Sequence, residues 1–177
     1  MTKEFARRDF LKLSTAMAGV AATAGFSCIG IADAAPITVP TVDNLSIRVL
    51  VDSSYDLFFR PKQLGTVAIQ PPPRASDFRK TLHNEWGLSL WLESQRGSDR
   101  RALMLDYGYS PEVLLNNIEL IGVDPSALSA LIVSHGHYDH FGGLQGFLKK
   151  YRDKLPAALK LYAGGEDNFC HRVSRTP

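Results

Sequence analysis

Apolar residues after position 44 recur with two different periods. Over 45 to 51 the run LSIRVLV alternates and is rich in β-branched residues, which predicts a first strand ending at Asp52. LSLWLES at 88 to 94 and RALMLD at 101 to 106 flank the polar turn QRGSDR, which predicts two more strands closed as a hairpin. Between these lies a stretch, 55 to 80, containing YDLFFRPK, TVAIQ and PPPR. No helix or central strand accepts a triple proline, so this stretch is expected on the surface with one short strand in it.

The period then becomes helical. Ser110, Pro111 and Glu112 supply an N-cap, a first-turn proline and a first-turn acid. Val113, Leu114, Asn117, Ile118 and Ile121 follow at helical spacing, and Gly122 ends the element. DPSALS reads as a short turn and ALIVS as a buried strand. A second helix is expected over about 142 to 151 (GGLQGFLKKY), with its basic end at the negative pole of the helix dipole. LKLYAGG at 159 to 165 predicts a last strand. The order β, β, β, α, β, α, β describes an α/β domain with a mixed sheet.

The first 34 residues follow neither period. Arg7 and Arg8 precede Asp9, Phe10, Leu11 and Lys12, a weakly apolar stretch rich in Ala and Gly comes next, and Ala32, Asp33 and Ala34 close it. These are the three parts of an export signal, and the paired-arginine version resembles the twin-arginine type. So many small residues between 13 and 31 make a poor spanning helix, which argues against a membrane anchor. Cleavage after Ala34 is expected, with 35 to 44 (API TVP-type, proline-punctuated) as a linker and 45 to 177 as the domain. The expected location is periplasmic or otherwise exported, with the twin-arginine export machinery as a partner and no stable membrane span after cleavage.

Composition narrows the class further. The chain has 177 residues, 45% hydrophobic and 21% charged, as ordinary soluble domains do. A net charge of +2, with scattered basic residues, gives no case for nucleic acid. The signal would remove Cys28 and leave Cys170 alone, so no intramolecular disulfide can form in the mature chain.

Candidate chemistry is concentrated at 134 to 143, SHGHYDHFGG. His135 and His137 lie two apart where a buried strand ends, and a chain curling off that end can bring both imidazoles to one ion. Asp139 and His140 would project to a second position nearby. Two ions about 3.5 to 4 Å apart can hold a hydroxide between them and clamp the attacked group. Zinc suits imidazole with carboxylate, and iron or manganese are compatible.

The run HGHYDHFGGL resembles the H-x-H-x-D-H signature of the metallo-β-lactamase-fold hydrolases, and LMLDYG at 103 to 108 resembles the strand-end D-x-G that precedes it there. Within that superfamily the likeness is to the branch of dihydropterin ribofuranosylaminobenzene-phosphate synthase-like metal-dependent hydrolases. That branch carries V-D-N, E-H-G-L-S and S-H-G-H-Y-D-H-x-G-G-L in this order. Here Val51, Asp52 and Ser53, then Glu85, Trp86, Gly87, Leu88 and Ser89, occupy the first two, with Ser53 in place of asparagine and Trp86 in place of histidine. The resemblance implies the N-terminal half of an α/β/β/α sandwich with a mixed sheet. It implies His135 and His137 on one metal, Asp139 and His140 on another, and two zinc ions in the complete family member. Asp139 would also position the attacking water or receive its proton. Asp106 would orient the ligands from beneath, and Asp52 is a further candidate for that supporting shell.

Family members supply later ligands that this sequence does not show, so the expectation is a domain incomplete at its C-terminus. Cys170 and His171 could instead complete a mononuclear site. The functional expectation is a hydrolase whose metal-activated water attacks an ester, lactone, phosphate or amide-type bond of a small-molecule substrate. The alternative is a truncated, non-catalytic metal-binding or interaction module.

Overall fold

A computed structural model of the chain describes residues 39–164. The expected export signal, Cys170 and His171 lie outside the described residues. Among the described residues no helix is long and apolar enough to cross a membrane.

Five strands make one mixed sheet. In chain order they are β1 (Asn44–Val51), β4 (Ser89–Arg96), β5 (Asp99–Leu105), β6 (Leu128–Val133) and β7 (Lys160–Ala163), and they lie side by side in that same order. β1, β4 and β5 pair antiparallel, while β5 with β6 and β6 with β7 pair parallel. The parallel pairs need crossovers, and each contains a helix. The first is α1 (Pro111–Ile121); the second contains a single helical turn, α2 (Tyr138–Phe141), and then α3 (Leu144–Tyr151). The mixed α/β architecture is as the periodicity predicts.

Two elements were not legible from the pattern. The 55 to 80 excursion holds two short strands rather than one, β2 (Lys62–Leu64) and β3 (Val67–Ile69), which form a separate hairpin across Gly65. The helix expected over 142 to 151 starts two residues later, and α2 precedes it.

α1 follows its sequence signals closely. The Ser110 side chain accepts from the Val113 N–H, Pro111 opens the first turn, and Gly122 closes the helix in the left-handed region at φ 74°. Its apolar stripe buries Leu114 and Ile118 against one face of the sheet, with Phe147 and Tyr151 of α3 beside them. The facing sheet row is Trp91, Met104 and Leu131, aligned across β4, β5 and β6. Fully burying a side chain of this size stabilises by roughly 1.5–3 kcal/mol, so this layer carries most of the fold's cohesion.

The opposite sheet face is apolar too, but the described residues leave it open. Val49, Leu90, Leu105 and Ile132 form a row across four strands, with Ile47, Leu92 and Leu103 beside it. Ile47 is 53% and Val49 50% exposed. A strand pattern that is apolar on both faces is the mark of a sheet built to be covered on both.

Candidate metal centre

β5 and β6 are parallel neighbours, so their carboxyl ends open on the same edge of the sheet. In open α/β sheets that edge is where sites form. Asp106 leaves the end of β5 and Ser134 the end of β6.

Asp106 is the pivot. It is 1% exposed and sits at φ 59°, the one described non-glycine residue in the left-handed region. Such a conformation costs on the order of 1–3 kcal/mol and persists only where the surroundings over-determine it. Its N–H donates to the Ile132 carbonyl at 2.9 Å, and its carbonyl accepts from Ser89 Oγ at 2.8 Å. Its Oδ1 accepts from the Ser134 N–H at 2.7 Å. Its Oδ2 accepts from Ser134 Oγ at 2.6 Å and from His140 Nδ1 at 2.8 Å. These bonds tie the end of β5 to Ser134 and to His140.

The histidine loop runs from Ser134 to His137, where the chain turns into α2. The His135 ring centroid lies 4.6 Å from that of His137 and 4.1 Å from that of His140. The three imidazoles are therefore close together, with the His135 ring against both of the others. His140 Nε2 lies 3.6 Å from Asp139 Oδ2.

Close backbone approach explains the glycines around the loop. Gly87 adopts φ 122°, and a Cβ there would lie 2.2 Å from the Asp139 carbonyl oxygen. Leu88 N–H donates to that same carbonyl at 3.4 Å, so the segment leading into β4 rests on the backbone of Asp139. At Gly143 a Cβ would lie 2.2 Å from the Tyr107 carbonyl oxygen, where the chain leaving β5 crosses the start of α3.

Glu85 has a role the sequence did not disclose. Its Oε1 accepts from the N–H groups of Tyr109 and Ser110, both at 2.9 Å, and its Oε2 accepts from Ser110 Oγ at 2.6 Å. It thus braces the loop after Asp106 to the start of α1. The available signal was the helix start itself, whose free N–H groups favour an anionic partner. Trp86, beside it, is 73% exposed. Asp52 is placed apart from the loop's hydrogen bonds. Its Oδ1 accepts from Ser53 N–H and Oγ, as a strand-end turn residue does.

The donor set can be tested against an ion. Two ligand atoms about 2.0–2.2 Å from one tetrahedral zinc lie roughly 3.4 Å apart, close to the Asp139 to His140 separation. Three imidazoles and a carboxylate are the donor types that borderline ions take. Yet among the described residues no three His, Cys, Asp or Glu side chains converge on one point. Asp139 and His140 fit an ion as a pair, and a closed coordination sphere needs further donors. Two concavities lie elsewhere, one along Asn44, Glu93 and Arg100 and one around Tyr55 and Phe78.

Comparison with known proteins adds two findings. Residues 89–168 match the metallo-beta-lactamase superfamily. The chain is also 30% identical over 79 residues to a 7,8-dihydropterin-6-methyl-4-(beta-D-ribofuranosyl)-aminobenzene-5'-phosphate synthase of Methanocaldococcus jannaschii. That match covers 45% of this chain and 27% of the relative, so the chain spans about a quarter of the length of the curated relative it matches. The matched segment contains β4 to β7, Asp106 and the whole histidine loop, so the likeness to the metallo-beta-lactamase superfamily falls on the elements that build this site.

Proposed function

We propose that this protein is a metal-dependent hydrolase of small molecules, with His135, His137, Asp139 and His140 as the metal-holding residues. Zinc is the preferred ion, with iron or manganese as alternatives, and by family resemblance two ions bind. Bound there, the metal would supply Lewis acidity and a water that ionises near neutral pH. The remaining work falls to the chain's own groups. Asp106 holds the Nδ1 hydrogen of His140, which leaves its Nε2 lone pair free on the side of Asp139. Asp139 would orient an attacking water and hold its proton, and Gly87 with Leu88 fixes the backbone that carries it. The bond attacked is an ester, lactone, phosphate or amide. The 5'-phosphate in the relative's name makes phosphate-bearing compounds the first class to try.

The observation that carries this reading is the buried Asp106 to His140 hydrogen bond at a parallel strand end, with a second carboxylate 3.6 Å from the other ring nitrogen. A non-catalytic metal-binding or interaction module is the second reading. It is favoured by the absence of three converging ligands among the described residues and by the open apolar sheet face. We also propose export by the twin-arginine route, on the sequence of residues 1 to 34.

Elemental analysis of the purified chain, then hydrolysis of generic phosphoesters and lactones with and without chelator, tests the proposal. Stoichiometric metal that His137→Ala removes, with chelator-sensitive turnover, is the expected result. Metal without turnover selects the second reading in its metal-binding form, and a chain that takes up no zinc, iron or manganese overturns the hydrolase proposal.

A further inference from the structure

Ser134 Oγ lies between two partners, Asp106 Oδ2 at 2.6 Å and His135 Nδ1 at 2.9 Å. A hydroxyl has one hydrogen to give. A carboxylate can only accept, so the shorter contact takes that hydrogen. Ser134 Oγ then meets His135 with a lone pair, and His135 Nδ1 must be the donor. The same Oδ2 accepts from His140 Nδ1. One buried carboxylate therefore sets two imidazoles, His140 directly and His135 through a hydroxyl, and both are left with a free Nε2 lone pair.

We infer that Ser134 is a positioning residue, which relays the tautomer control of Asp106 to His135 so that His135 and His140 present Nε2 together. The inference rests on the metal-site reading above and adds to it a residue that is not itself a ligand type. An ordinary strand-end serine would use its hydroxyl to secure the local backbone. Here that task is already done, because the Ser134 N–H is held by Asp106 Oδ1 at 2.7 Å. The hydroxyl is thus free for the ring. Without it, a neutral imidazole in water favours hydrogen on Nε2, the form that cannot bind metal through that atom. The ring geometry gives the relay its use, since the His135 and His140 centroids are 4.1 Å apart.

The test is long-range proton–nitrogen NMR of the imidazoles in the metal-free full chain, at a pH where they are neutral. Wild type is expected to show pyrrole-type Nδ1 and pyridine-type Nε2 for both His135 and His140. Ser134→Ala should move His135 toward the Nε2–H form while leaving His140 unchanged, and Ser134→Thr should restore it. Zinc affinity by calorimetry should fall about 10-fold in Ser134→Ala and recover in Ser134→Thr, the scale usual for a lost ligand-orienting partner. Circular dichroism checks that each variant is folded. A wild-type His135 carrying hydrogen on Nε2, or one indifferent to Ser134→Ala, overturns the relay even if zinc binds. Tautomers as described in a chain that binds no zinc support the relay and defeat the metal reading instead.

Discussion

Asp106 Oδ2 and His140 Nδ1 are 2.8 Å apart, joining the end of β5 to the helical turn that follows β6. Both partners are sheltered, so the bond is worth more than a surface pair and cannot be replaced by water at no cost. Asp106→Asn tests it with the backbone preserved, because asparagine tolerates the left-handed conformation that Asp106 adopts. The amide cannot accept at both oxygen positions, so either the Ser134 N–H loses its acceptor or Ser134 Oγ and His140 lose theirs together. We expect a folded variant destabilised by about 1–3 kcal/mol in urea unfolding. Zinc affinity should drop by roughly 10–100-fold in calorimetry. An affinity equal to wild type would remove Asp106 from the site.

Gly87→Ala is expected to damage the site through the backbone alone. The added Cβ would meet the Asp139 carbonyl oxygen at 2.2 Å, and alanine is strained at φ 122° in addition. Neither atom of that clash is the end of a flexible side chain, so β4 and the loop must separate. The conformational part alone costs on the order of 1–3 kcal/mol. Thermal unfolding should show at least that loss, with metal binding weakened in parallel. A variant that keeps both would mean the Gly87 to Asp139 contact is looser than described.

Asn117 sits on the buried stripe of α1, 2% exposed, and its amide is fully used. Its Nδ2 donates to the carbonyls of Leu50 and His83, both at 2.7 Å, and its Oδ1 accepts from His83 N–H at 2.9 Å and Asn116 Nδ2 at 3.0 Å. It ties β1 and the 83 to 84 segment to the helix. Asn117→Leu has nearly the right size and the wrong chemistry. It leaves the buried Leu50 carbonyl without this partner, while the His83 groups can turn to water, so the chain should lose about 1–3 kcal/mol in denaturant unfolding.

The same residue shows where reading the sequence stops. Helical spacing placed Asn117 on the inward face correctly, because a period of 3.6 fixes the face whatever the side chain. The cap at Ser110, the stop at Gly122 and the hairpin of β4 and β5 were legible for the same reason: each depends on residues adjacent in sequence. The bonds of Asn117 to Leu50 and of Glu85 to Ser110 join distant segments, and only the sheet order brings those together. The histidine loop falls between the two cases. The donor types of His135, His137, Asp139 and His140 could be read from one hexapeptide, and the resemblance pointed to Asp106. The single ring cluster around His135 could not be foreseen, since it depends on α2 turning the chain immediately after His137.

Tyr107 supplies a pH-dependent prediction. Its ring is fully buried against Phe147, and its hydroxyl has no hydrogen-bond partner among the described residues. Burial pushes the phenol well above its ordinary value of 10.0. The Ile132 backbone opposes this from nearby, though not in hydrogen-bond geometry, and the charge of Asp106 adds to it. The folded chain therefore keeps a proton that the unfolded chain releases above about pH 10. Stability from this group is complete below that pH and falls as pH climbs toward the raised folded value, with a slope approaching ~1.4 kcal/mol per pH unit. Tyr107→Phe should abolish that part of the alkaline loss, while Tyr151, also raised by burial, keeps a smaller share. At neutral pH the variant should equal or exceed wild type by up to about 1 kcal/mol, because an unpaired buried hydroxyl is removed without leaving a cavity. Urea unfolding at neutral pH and again above pH 10 measures both effects. A neutral-pH loss greater than about 1 kcal/mol would show that the hydroxyl holds a partner after all.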